Sequence, residues 1–107
     1  MVNKAILIGR AVENPEIRKT TGGTSVCNFS LAINETWKDK SGVKQSHCEY
    51  VRIVVWGKLA DVVATFVKKG KLVYVEGKIQ SHEYENKSGG KTHVTEINAD
   101  TVQFLSG

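Results

Sequence analysis

Proline occurs once in 107 residues and cysteine only twice. A chain so poor in proline, with its ten glycines mostly in short clusters, has no linker or low-complexity tail, and one compact domain over 1–107 is expected. That length supports a real core without disulfide or metal staples. Cys27 and Cys48 are too few for a disulfide scaffold and lack Cys-x-x-Cys spacing, which points to a reducing, cytoplasmic setting. No stretch of about 18 apolar residues is present, so a transmembrane span and a membrane partner are excluded. The first apolar run is four residues long and no small-residue cleavage pattern follows it, which excludes a signal peptide. Neither sign of charge dominates: 15 Lys and Arg face 11 Asp and Glu, a formal charge of +4 that favours an acidic partner only modestly. The last cation is Lys91, so the positive charge belongs to the earlier part of the chain.

Catalytic constellations are also missing. No Walker glycine loop, Gly-x-Ser-x-Gly or His-Glu-x-x-His occurs. His47 and Cys48 are strand neighbours and face opposite sides, so they cannot form a nucleophile–base pair. His82 and His93 start and end one hairpin and can approach, but no Cys or carboxylate stands at ligand spacing, so neither a metal nor any cofactor is expected. Asp39, Asp61 and Asp100 fall on a loop, a helix and a strand, which does not suit a metal-dependent nuclease. The chain is not expected to be an enzyme.

What is present is a set of strand-like pieces cut by glycine clusters at 20–25, 38–44 and 86–91. The pieces run over about 2–19, 26–37, 46–56, 72–84 and 92–104, rich in Val, Ile, Thr and aromatics. Pro15 cannot donate to a ladder, so the first is expected to bend near Glu13–Pro15. Between the third and fourth, Leu59, Val62, Val63, Phe66 and Val67 share a stripe at helical spacing, with Lys68 and Lys69 at the negative end and Gly70 suited to C′. The order β-β-β-α-β-β predicts an all-β, five-stranded Greek-key barrel with one helix between strands 3 and 4, the arrangement of the OB-fold.

Period-two geometry sends Val51, Ile53 and Val55 of the third strand inward and Cys48, Tyr50, Arg52, Val54 and Trp56 outward. Two aromatics flanking an arginine on an outer face suit single-stranded nucleic acid, whose bases stack and whose phosphates need cations. In the second strand Cys27, Phe29, Leu31 and Ile33 form an inward file ending in Glu35 and Trp37, next to a lysine-rich tip. On the fourth, Val73, Val75 and Ile79 point one way and Tyr74, Glu76, Lys78, Gln80, His82 and Tyr84 the other. A lone Trp or Tyr in a small β-domain more often serves a core or an interface, and Tyr74 is better assigned to a subunit contact. Trp37, Tyr50, Trp56 and Tyr84, interleaved with lysines, favour binding instead.

These residues resemble a known family, the bacterial-type single-stranded DNA-binding proteins. The matching stretches are 3–10 (NKAILIGR), 14–18 (NPEIR), 29–38 (FSLAINETWK), 54–60 (VVWGKLA), 69–77 (KGKLVYVEG) and 95–105 (TEINADTVQFL), in order along nearly the whole chain. The resemblance implies an OB-fold that assembles, usually as a homotetramer, and binds single-stranded DNA without sequence preference in replication, recombination and repair, in the cytoplasm with the nucleoid. It places the stacking rings on Trp37, Tyr50, Trp56 and Tyr84 and the backbone-contacting cations on Arg18, Lys40, Arg52, Lys58 and Lys69. Better-known members carry Trp where Tyr50 and Tyr84 stand, and some carry Lys where Glu83 stands. Replication and repair partners are implied only through an acidic-tipped tail, whereas this sequence stops at Ser106 and Gly107. The alternatives are a primosome-type adaptor acting through protein contacts, with fewer stacking rings, and a structural oligomer using its outer aromatics between subunits.

Overall fold

The computed structural model describes residues 1–105, apart from the side chain of Tyr84. Among these residues the order is β1 (Ala5–Ala11), β2 (Glu16–Lys19), β3 (Ser25–Lys38), β4 (Lys44–Trp56), α1 (Lys58–Phe66), β5 (Leu72–Glu85) and β6 (Lys91–Phe104). The first expected strand is divided into β1 and β2 around Pro15, where a missing N–H ends the ladder. Counting β1 and β2 as one broken strand gives the five-stranded barrel expected, and the helix follows its third strand. The sheet runs β1-β5-β6-β4-β3-β2, and a β1–β3 pairing at Arg10–Ala32 and Ala11–Leu31 closes it. β4 and β6 are the parallel neighbours, joined through α1 and β5.

The turns form where glycine and side-chain acceptors allow them. Between β3 and β4, the Asp39 carboxylate accepts from the N–H groups of Ser41 and Val43 and from the Gln45 amide, at 2.9, 3.0 and 3.1 Å. Those donors hold its carboxyl below the usual aspartate value. Asn86 closes the β5–β6 turn in the same way, accepting from Ser88 and Gly90.

The barrel interior holds Phe29, Leu31, Ile53, Val55, Val63, Val67, Val73 and Val75, all fully buried. Each such side chain contributes about 1.5–3 kcal/mol by leaving water. Two expectations about the core are corrected. Val62 and Phe66 of the predicted helical stripe are exposed, whereas Val63 and Val67 of that stripe are buried and Ala60, outside it, faces the core as well. The helix stops at Phe66, and Val67 turns extended, which drives its side chain inward and leaves the Phe66 ring outside against Phe104, centroids 5.8 Å apart. Gly70 therefore lies in a following turn and not at C′, although Lys68 Nζ still donates to the Ala64 carbonyl. Ile79 keeps the parity of Val73 and Val75 but is exposed, because β5 runs past the end of the barrel after a bulge at Glu76/Gly77.

Candidate nucleic-acid interface

β4 sets the site. Its register against β3 pairs Tyr50 with Ala32, Arg52 with Ser30 and Trp56 with Val26, so these three side chains share the outer face. Tyr50 is 67% exposed and Trp56 48%, and among the described residues neither ring has an aromatic neighbour. The Tyr50 phenol is held above its ordinary pKa, first by its hydrogen bond with Cys48, so it is neutral where most proteins work. A flat, neutral, uncovered ring is what a nucleobase stacks on.

Arg52 is partly engaged by its own protein. Its Nη2 donates to Asn28 Oδ1 at 2.7 Å, and its Nη1 lies 3.8 Å from Glu13 Oε1 in the β1–β2 connection. The Asn28 bond fixes the fork of the guanidinium, while the longer Glu13 contact is solvent-exposed and weak enough for a phosphate to replace. Arg18 reaches the same region from β2, where it pairs with Val26 and borders a cavity of about 190 Å³ beside Trp56.

Trp37 stands elsewhere. Its partner is Gln45, and it belongs by register to the opposite face of the β3–β4 ribbon from Tyr50. It is 49% exposed and lines a cleft of about 320 Å³ with Thr36, Lys38 and Lys44, so an aromatic wall meets two ammonium groups. Lys40 is exposed in the turn just beyond. Lys58 opens α1 two residues after Trp56, with Gly57 as the N-cap between them, whereas Lys69 lies past the far end of the helix, where its N–H donates to Asn14 Oδ1. Tyr84 pairs with Thr92 in the β5–β6 ribbon, and a stacking role there rests on a side chain outside those described. The predicted residues thus form one row along the outer face of β4, Tyr50, Arg52 and Trp56, with Arg18 beside Trp56, Trp37 and Lys40 at a ribbon tip and Lys58 and Lys69 at opposite ends of α1.

His82 and His93 do not converge. They occupy successive pairs of the β5–β6 ladder and so face opposite sides, and each meets a glutamate: His82 with Glu96 at 2.9 Å, His93 with Glu83 at 3.1 Å. Asn28, Glu96 and Asn98, which also border the cavity beside Trp56, were not evident as site residues. Their outward parity was readable, but the β4–β6 pairing that brings β6 beside Trp56 was not.

The sequence profile of the single-strand binding protein family matches residues 2–105. Single-stranded DNA-binding protein 1 of Chlorobaculum tepidum is 47% identical over 105 residues, 97% of this chain and 65% of that protein. Single-stranded DNA-binding protein A of Bacillus subtilis is 41% identical over 105 residues, 98% of this chain and 60% of that protein. The chain spans 60–65% of the length of these relatives. Among solved structures, the SSB of Plasmodium falciparum in complex with ssDNA aligns with a TM-score of 0.89 at 32% identity, covering 99% of this chain and 96% of that one. A deletion variant of the single-stranded DNA binding protein from Thermus aquaticus aligns with a TM-score of 0.86 at 27% identity, covering 99% and 51%.

Proposed function

This chain belongs to the single-strand binding protein family, and on that premise we propose that it holds single-stranded DNA by stacking bases on Trp37, Tyr50, Trp56 and Tyr84 while Arg18, Lys40, Arg52, Lys58 and Lys69 neutralise phosphates. The observation that carries the proposal is the shared outer face of Tyr50, Arg52 and Trp56, two uncovered rings on either side of a cation. The P. falciparum structure, which is a complex with ssDNA, supports the same ligand for this barrel. Duplex DNA hides the base faces that these rings use, so single strands are preferred, and no base-reading contact is needed for the stacking itself. Keeping strands unpaired in this way serves replication, recombination and repair, in the cytoplasm with the nucleoid.

The proposal extends to a homo-oligomer, a tetramer in its usual form. β1 pairs with β5 along Ala5–Arg10, but with β3 only at Arg10 and Ala11, so most of its other edge is open. Ile6 and Ile8 are exposed on the same strand. An open edge beside exposed isoleucines is a surface that soluble proteins cover, and a second copy covers it with matching chemistry.

Tryptophan fluorescence during titration with an unstructured oligonucleotide tests the DNA reading. Emission is expected to be quenched, and log affinity to fall with log salt at about −0.7 per phosphate neutralised. Trp56→Ala and Trp37→Ala are each expected to weaken binding by about 1–3 kcal/mol. Unchanged emission together with salt-independent affinity would sink the proposal.

A further inference from the structure

Arg52 has two oxygen partners within its own chain, and they differ in kind. Asn28 is buried on β3, and its neutral Oδ1 accepts from Nη2 at 2.7 Å, so it turns the guanidinium without cancelling its charge. Glu13 is charged and half exposed, and its Oε1 stands 3.8 Å from Nη1, the terminal nitrogen that Asn28 leaves for a ligand. A carboxylate and a phosphate both offer that nitrogen a charged oxygen, so they compete for it.

The backbone puts Glu13 there. On one side of it the Val12 N–H donates to the Ser30 carbonyl at 3.0 Å, and Ser30 is the cross-strand partner of Arg52. On the other side Asn14 Oδ1 accepts from the Lys69 N–H at 2.9 Å, and the Ala11 carbonyl accepts from the Gly70 N–H at 2.8 Å. Pro15 restricts the backbone of Asn14 as well. The β1–β2 connection is therefore tied down at residues 11, 12 and 14, and the residue between the ties is delivered to the outer face of β4. Nearness of charge alone does not select it. Glu96 is the register partner of Arg52 across the β4–β6 pairing and Glu16 lies on β2 opposite Asn28, yet among the described residues the ion pair of Arg52 is with Glu13, while Glu96 meets His82.

We infer that Glu13 is an internal competitor for the strand: it occupies the Arg52 guanidinium in the free protein and must yield it to a phosphate when DNA binds. The inference rests on the single-stranded DNA reading above and adds a residue that opposes binding to those that favour it. Binding then breaks an exposed ion pair and brings a carboxylate beside a phosphate, and salt screens both effects. The pair re-forms as the strand leaves, so Glu13 favours release over retention.

The test measures the affinity of an unstructured oligothymidylate for the 107-residue chain and its variants, beginning at low salt. Glu13→Gln is expected to bind about two- to fivefold more tightly. Its log–log salt slope is expected to be steeper, because the repulsion removed counts most where screening is weakest. Glu16→Gln removes the same charge three residues away and is expected to gain less. On an Arg52→Gln background the gain from Glu13→Gln is expected to shrink to that from Glu16→Gln, since the group competed for is gone. Both glutamates are exposed, so their comparison decides the matter even where Arg52→Gln folds poorly. No gain from Glu13→Gln, equal gains from the two glutamate variants, or a gain that persists in full without Arg52 would overturn the inference and leave DNA binding standing. Failure of the unaltered chain to bind the oligomer would overturn the DNA reading, and the competitor with it.

Discussion

His47 and Glu49 stand two residues apart on β4, so both project from the same face, and their Nε2 and Oε1 atoms are 2.7 Å apart. The hydrogen bond to Glu49 and then its negative charge raise the His47 pKa above its ordinary value. The sign follows from linkage: the fold favours protonated His47, so the pair's contribution is complete below the unfolded-chain value and disappears as pH rises through the raised one. Both groups are exposed, which keeps the stability effect small. The titration itself remains readable, since the charge sits on the ribbon that carries Trp37 and Lys44. Following the ring protons by NMR should give a midpoint above that of a free histidine, and Glu49→Gln should lower it. A midpoint indifferent to that substitution would show that Glu49 does not hold the proton.

At the scale of elements, barrel closure depends on two places where strands cross too closely for a side chain. A Cβ on Gly9 would meet the Ala32 carbonyl and the Leu31 side chain, and one on Gly77 would meet the backbone of Asn98 and Ala99. Gly77 lies at the bulge where the β5–β6 register jumps, so its lack of a side chain lets β5 bend onto β6 and close the wall. Gly77→Ala is expected to destabilise the fold by about 1–3 kcal/mol, the usual cost of forcing extra atoms into packed structure. A denaturation midpoint equal to that of the unaltered protein would mean that the strands part without strain. Neither glycine stood out in the sequence, because each sits inside a strand pattern and the clash lies with a residue far along the chain. The turn glycines were legible because turn chemistry is local: Asp39 through Gly42 contains its own acceptor and its own positive-φ residue. The inward files of β3 and β4 were legible for the same reason, since alternation fixes a face without knowledge of the neighbour. The helical stripe was misjudged at Phe66 because periodicity assumes that the helix continues, whereas Val67 is buried in extended form and ends it one residue earlier, and at Val62 because the inward arc of the helix is centred on Ala60 and Val63. The cavity floor was the least legible part. Glu96 and Asn98 reach Trp56 only through a parallel β4–β6 pairing that no short-range signal announces.

For the whole molecule, a charge of +4 on one barrel is a modest attraction for DNA, and a strand wound across several copies meets several such fields at once. The open edge of β1 with Ile6 and Ile8 is where copies are expected to join, because an isologous contact there extends the ladder and covers the isoleucines in one step. Sedimentation of the unaltered chain is expected to give a mass above that of a single copy. Replacing both isoleucines, Ile6→Glu with Ile8→Glu, should bring it down to one, since two carboxylates per copy would have to be buried unpaired across the contact. The cavity and the outer face of β4 are untouched by this double substitution, so the separated barrel should still quench on binding a short oligonucleotide. With longer strands its affinity should fall, and its log–log salt slope should become shallower, because fewer phosphates are neutralised by one copy than by several. An unaltered chain that sediments as a single copy would remove the assembly proposal. A double variant that keeps the larger mass would move the contact away from β1.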